Sequence, residues 1–133
     1  MISLDTNIFI YWLEKNTEFY EISAQIIKKI YSGEISATCS SLVLAEIYNN
    51  NQLLVEAIKN LPNLKIVNVS DEVAELAGKL RFGYGLKVID SVHIASAIIS
   101  GSDSFITNDV YLSKKNISKI SIILPTKFLL PKQ

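Results

Sequence analysis

The chain has 133 residues, 49% hydrophobic and 20% charged, a globular mixture that excludes a disordered or low-complexity chain and suits a single domain over residues 1–133. Thirteen basic and thirteen acidic residues cancel to a formal charge of zero, so no overall field announces a partner. One cysteine excludes an intrachain disulfide, and the longest stretch free of Asp, Glu, Lys and Arg, residues 91–102, is too short for a membrane-spanning helix.

The start, Met1-Ile2-Ser3-Leu4-Asp5, meets a carboxylate at once and lacks the basic and apolar regions of a signal peptide. With a lone thiol, Cys39, set among small and apolar residues as a buried hydrophobe, this points to a cytoplasmic protein. Residues 1–4 predict a first strand, and Asp5-Thr6-Asn7, all good capping types, the opening of a helix. Ile22, Ile26 and Ile30 recur every four residues, predicting a second helix over 18–31 that stops before Gly33. Residues 35–39 read as a second strand. Ser40 and Ser41 can cap one long helix over 42–59, which Pro62 then breaks. The alternation in 64–69 predicts a third strand, and Ser70 a capped helix with Asp71 and Glu72 in its first turn, fading by Gly83 and Gly85. Residues 90–100 form an apolar helix ended by Gly101. Residues 104–107 and 120–124 predict the last two strands, and Pro125 ends the fifth.

Strands alternating with helices imply a parallel sheet covered on both faces, with right-handed crossovers. In such sheets ligands bind outside the carboxyl ends of the strands. Four acids occupy that kind of place: Asp5 after the first strand, Glu46 in the second turn of the helix after the second strand, Asp90 opening a helix, and Asp109 beyond the fourth strand. Asp103 lies close enough to Asp109 in sequence to compete for its role. Glu14, Glu18, Glu21, Glu56, Glu72 and Glu75 fall on polar helix faces and read as solvated surface.

Carboxylates among apolar residues need a cap, an ion partner or a metal. For Asp5 and Asp90, helix N-capping competes with a functional reading; Glu46 is too deep in its helix to cap it. If Asp5, Glu46 and Asp90 share one pocket they repel, since two unit charges at 4 Å cost about 4 kcal/mol at an effective dielectric of 20. The chain offers one arginine, Arg81, and no arginine or histidine partner is evident in sequence, so a cation is the natural remedy. Oxygen donors suit Mg²⁺ or Mn²⁺; one Cys and one His disfavour zinc. His93 follows Asp90 by three residues and shares its helix face; it reads either as a packed, hydrogen-bonded residue or as a neighbour of the site.

Charge is unevenly spread: after Asp109 come five lysines and no acid. Lys87, three residues before Asp90, and then Lys114 and Lys115 are the candidates for contacting a polyanion backbone. Phe19, Tyr20 and Tyr48 look exposed and apolar, which suggests a homodimer.

Four segments resemble the PIN-domain family in its order: Leu4-Asp5-Thr6-Asn7-Ile8-Phe9; Ser41-Leu42-Val43-Leu44-Ala45-Glu46; Val88-Ile89-Asp90-Ser91-Val92-His93-Ile94-Ala95 with Ala97; and Phe105-Ile106-Thr107-Asn108-Asp109. Each alone is weak; four in series over nearly the whole chain are specific. The resemblance implies an α/β, Rossmann-like three-layer sandwich with a five-stranded parallel sheet of order 3-2-1-4-5. It also implies Mg²⁺- or Mn²⁺-dependent cleavage of RNA, with Asp5, Glu46, Asp90 and Asp109 as catalytic and metal-binding acids and Thr6, Asn7 and Thr107 as their supports. The short length is similar to that of VapC-type toxins, which implies a small antitoxin partner and a dimer. A catalytically silent fold of the same kind that holds RNA or protein is the alternative. A phosphoacyl enzyme is disfavoured by Asn7, where a second aspartate would be expected, and dinucleotide binding by the lack of a G-x-G-x-x-G motif.

Overall fold

The computed structural model describes residues 1–15, 18–49 and 52–130. Five strands, β1 (Ile2–Leu4), β2 (Ala37–Ser40), β3 (Leu64–Val67), β4 (Ser104–Ile106) and β5 (Ser121–Ile123), form a parallel sheet in the order β3-β2-β1-β4-β5. Between and after them run α1 (Thr6–Leu13), α2 (Tyr20–Tyr31), α3 (Leu42–Ile47), α4 (Gln52–Lys59), α5 (Asp71–Tyr84), α6 (Val88–Ile99), α7 (Val110–Ser113) and α8 (Pro125–Leu129). This is the expected strand order.

Side chains alternate across a strand, and that alternation builds two cores. Ile2, Leu4 and Ile106 point to one side, onto Ile8 and Phe9 of α1, Ile26 and Ile30 of α2 and Val43 of α3. Phe105 points to the other, onto Val73, Ala77 and Leu80 of α5, Ile94 of α6 and Leu112 of α7. Helix α6 buries small residues, among them Ser91, Ala95, Ser96 and Ala97, which let its backbone approach the sheet closely. Cys39 is fully buried on β2, and burial pushes its thiol up to about 12, so it carries no thiolate chemistry.

Some expectations are corrected. The helix predicted over 42–59 is two helices, because Tyr48 leaves α3 in extended backbone. A run of three asparagines starts at Asn49, and asparagine competes with the helix for backbone hydrogen bonds. Helix α6 starts at Val88, two residues before Asp90, with Lys87 at its N-cap and no side-chain cap bond. Asp90 therefore lies in the first turn and caps nothing there. Helix α7 was not anticipated. Phe19 and Tyr20 are half-buried, Phe19 against the Tyr11 ring at 5.0 Å; of the three residues proposed as an apolar patch, only Tyr48 is exposed. Among the described residues no single helix is long and apolar enough to cross a membrane.

Candidate active site

Strand register dictates where the site begins. Leu4 lies opposite Ile106, so the next residues, Asp5 and Thr107, leave the carboxyl edge side by side. This is also where the strand order reverses, between β1 and β4. Asp5 donates its N–H to the Ile106 carbonyl at 2.9 Å and caps α1, with Oδ1 accepting from the Thr6 N–H at 2.8 Å. Its Oδ2 accepts from the Thr107 hydroxyl at 2.8 Å and from Asn7 Nδ2 at 3.4 Å. A carboxylate offers about four acceptor positions, so Asp5, only 7% exposed, retains one.

The Thr107 hydroxyl is fully committed. While donating to Asp5, it accepts from Asn7 Nδ2 at 3.3 Å and from the Asp109 N–H at 3.0 Å. Asn7 turns its Oδ1 to the Asn108 N–H at 3.1 Å, and Asp109 caps α7 through the Leu112 N–H at 3.0 Å. The loop after β4 is thus tied, bond by bond, to the start of α1.

On the other side of Asp5, the Thr6 hydroxyl donates to Glu46 Oε1 at 2.6 Å. Nε2 of His93 lies 2.5 Å from the same oxygen and 3.3 Å from the Thr6 hydroxyl. A carboxylate only accepts, so Nε2 is the donor, and Nδ1 is buried with no hydrogen-bond partner among the described residues. The Glu46 side chain is 30% exposed. His93 is the one member of this network missing from the expected set. Its spacing from Asp90 gave the helix face; its partner lay across the fold on α3.

Burial raises the Asp5 carboxyl above its usual range; nearby His93 and the bonds from Thr107 and Thr6 oppose the rise, and the Glu46 charge adds to it. Asp90 is raised first by burial and then by the charges of Asp5 and Asp109, against the pull of His93 and Lys87. The acids therefore act on one another in sequence, Glu46 on Asp5, and Asp5 and Asp109 on Asp90. The single pocket expected for Asp5, Glu46 and Asp90 is not what the cavities outline. Asp90 and Asp109 line a cleft of about 400 Å³ with Lys87, Gly85 and Tyr111, whereas Glu46 lines a separate groove of about 300 Å³ with Ile10, Leu13 and Leu54. Gly85 shapes the first of these, since its φ of +66° ends α5 and turns the chain into α6 at little steric cost.

Lys87 stands at the Asp90 cleft, as its sequence position suggested. The Lys115 ammonium is instead bound to the Tyr84 carbonyl at 3.1 Å, and Lys114 lines a different hollow with Lys119. Asp103 precedes β4, at the opposite edge of the sheet, where it is exposed and paired with the N-terminal amine at 3.4 Å; it has no place in the site.

Among the described residues no group of three or more Cys, His, Asp or Glu side chains is close enough to hold a metal on its own. Mg²⁺ keeps several waters and takes only one or two carboxylates, so a row of hard oxygen donors with one free position on Asp5 fits it. Zinc is not suited, with His93 committed to Glu46 and Cys39 buried in the sheet.

The raised carboxyls have a measurable consequence. Each favours the folded chain when protonated, a contribution complete below the ordinary carboxyl value of 3.8 and lost as pH rises through the higher native value. In chelator, Asp5 and Asp90 are expected to make the melting temperature fall as pH rises from about 4. Asp90→Asn should flatten that fall; a melting curve against pH identical to that of the native sequence would refute the assignment.

The sequence matches the PIN domain family model over residues 2–117. No curated protein gives a match. Among solved structures, a toxin–antitoxin complex from Klebsiella pneumoniae superposes with a TM-score of 0.70 at 21% identity, covering 94% of this chain and 98% of that one. VapBC2 from Rickettsia felis, bound to a DNA fragment from its promoter, gives 0.67 at 21% identity, over 93% and 98% of the two chains. VapC20 from Mycobacterium tuberculosis, a toxin cleaving the sarcin–ricin loop, gives 0.66 at 12% identity, over 87% and 97%. The family model spans most of the chain, the solved relatives share its fold, and the acids stand at the sheet edge where strand order reverses: the chain belongs to the PIN domain family.

Proposed function

We propose that this chain is a Mg²⁺- or Mn²⁺-dependent endoribonuclease and the toxin half of a VapBC-type toxin–antitoxin pair, acting in the cytoplasm. The observation that carries the reading is the row Glu46–Asp5–Asp90–Asp109, held at the β1/β4 edge by Thr6, Asn7, Thr107 and His93. Asp5, Glu46, Asp90 and Asp109 would hold the ion, one or two of them directly and the others through its waters. When bound, the ion supplies an activated water and neutralises charge developing on a phosphodiester.

The chain's own residues do the rest. Thr107 and Thr6 donate to Asp5, and the Thr6 hydroxyl to Glu46, which holds both carboxyl groups in place. Asp90 and Asp109 set the negative floor of the cleft, and Lys87 at its rim attracts the phosphate backbone without reading sequence. Lys115, beside the Tyr111 ring that lines the cleft, extends that basic side, whereas Lys114 lies in another hollow. Solved relatives in toxin–antitoxin complexes support a small antitoxin as partner. Tyr48 and the other exposed apolar residues support a homodimer, and light scattering that gives a single-chain mass at micromolar concentration would refute it.

The absence of a three-acid group among the described residues favours the second reading, a PIN fold that holds RNA or protein without turnover. Single-stranded RNA incubated with the chain separates the two. Cleavage is expected in Mg²⁺, loss of it in EDTA, and recovery on adding excess Mg²⁺. Turnover that persists in EDTA, or tight binding with no cleavage in either cation, overturns the proposal.

A further inference from the structure

We propose that Tyr111 is a stacking platform for an unpaired nucleobase of the RNA strand whose phosphate enters the Asp90–Asp109 cleft. The inference rests on the ribonuclease reading and adds a base subsite to it. Tyr111 is 66% exposed and lines the same cleft as Asp90, Asp109 and Lys87. The ring is held as well as exposed. The Lys115 ammonium lies 4.8 Å from its centroid, within the range of a cation–π contact, and is itself anchored on the Tyr84 carbonyl at the end of α5.

A fixed aromatic face next to an acidic floor selects a particular ligand. The floor repels an anion until a cation offsets it, and Lys87 and Lys115 supply positive charge beside it. Val110, Val88 and Ile89, on the segments around the cleft, are also exposed, so the surroundings are apolar where the floor is charged. A single strand matches both parts, with phosphates for the charged floor and splayed bases for the apolar surroundings. Bases inside a duplex are already stacked and cannot use such a face. Stacking accepts any base, so this subsite gives preference for single strands ahead of sequence.

The test uses the full chain and a labelled single-stranded RNA, with Ca²⁺ replacing Mg²⁺ so that binding is read apart from cleavage. Fluorescence anisotropy gives Kd for the native sequence, Tyr111→Ala and Tyr111→Phe, on intact RNA and on a series with one abasic nucleotide moved along the strand. Tyr111→Ala is expected to weaken binding by about 5- to 150-fold, the worth of one base–aromatic stack, and Tyr111→Phe by about twofold or less. One abasic position should weaken the native chain by a similar factor and leave Tyr111→Ala unaffected. If Tyr111→Ala binds intact RNA as the native chain does, or if abasic positions penalise both proteins equally, the proposal is overturned. It is likewise overturned if Tyr111→Ala changes only the mass seen by light scattering, which would make the ring a protein–protein contact. Coupling between Tyr111 and one base without Mg²⁺-dependent cleavage would keep this subsite and refute the nuclease reading. Cleavage without coupling would do the reverse.

Discussion

Replacing Asp90 by asparagine is expected to lower RNA cleavage by at least about a thousandfold while making the metal-free protein more stable near neutral pH. The two effects have one source. Asp90 is raised by burial and by the charges of Asp5 and Asp109, so its ionised form is held at a cost that a bound cation relieves. Asparagine keeps the shape and removes the charge. A thousandfold corresponds to about 4 kcal/mol of transition-state stabilisation, within the several kcal/mol that metal-assisted charge neutralisation supplies. No helix cap is lost, because α6 begins at Val88 and its N-cap is Lys87. The favourable dipole interaction of a first-turn acid, roughly 0.3–1 kcal/mol, offsets part of the gain and keeps it modest. Single-turnover cleavage in Mg²⁺ and melting in EDTA measure the pair. Unchanged cleavage would remove Asp90 from the site; lower stability in EDTA would make it a structural residue.

Thr107→Val is expected to damage both folding and activity, because one buried hydroxyl serves three partners. Valine is nearly the same shape but leaves the Asp109 N–H without its acceptor and takes a donor from Asp5 Oδ2. Each buried group left unpaired costs about 1–3 kcal/mol, so the expected loss is roughly 2–5 kcal/mol, a large share of the stability of a typical domain. Asp5 and Asp109 would also lose their alignment, and groups that orient metal ligands commonly cost about 10–100-fold in activity when removed. Thr107→Ser should retain most of both. Urea midpoints and cleavage rates for the three proteins provide the check; a valine variant as stable as the native chain would show that the hydroxyl does not tie β1 to β4.

The alternation of short apolar runs with helical ones gave each strand to within two residues, because each run is short and lies between turn or capping residues. The break between α3 and α4 was hidden because Leu42, Val43 and Ile47 are followed by Leu54, Val55 and Ile58, a pattern that a period count reads through. Helix α6 was begun too late for the opposite reason: Asp90 is a good capping type, whereas Val88 and Ile89, in the first turn, are exposed apolar residues that announce no boundary. Asp5 and Asp109 were found from their places after strands. Sequence gave no measure of how far apart the acids stand, which is why a single pocket was expected where the structure has a cleft and a neighbouring groove. His93 was read either as a packed residue or as a neighbour of the site, and a helix face says nothing about what meets it from α3, so its bond to Glu46 was not foreseen.

The single thiol of Cys39 makes the sheet report on its own integrity. It lies on β2 between β1 and β3, opposite Ile66, fully enclosed and with its proton firmly held. An alkylating reagent can reach it only during excursions that part the middle of the fold. Its labelling rate is therefore a clock for those excursions, and anything that clamps the carboxyl edge of β1 and β4, whether a cation between the acids or a strand of RNA across them, should slow that clock.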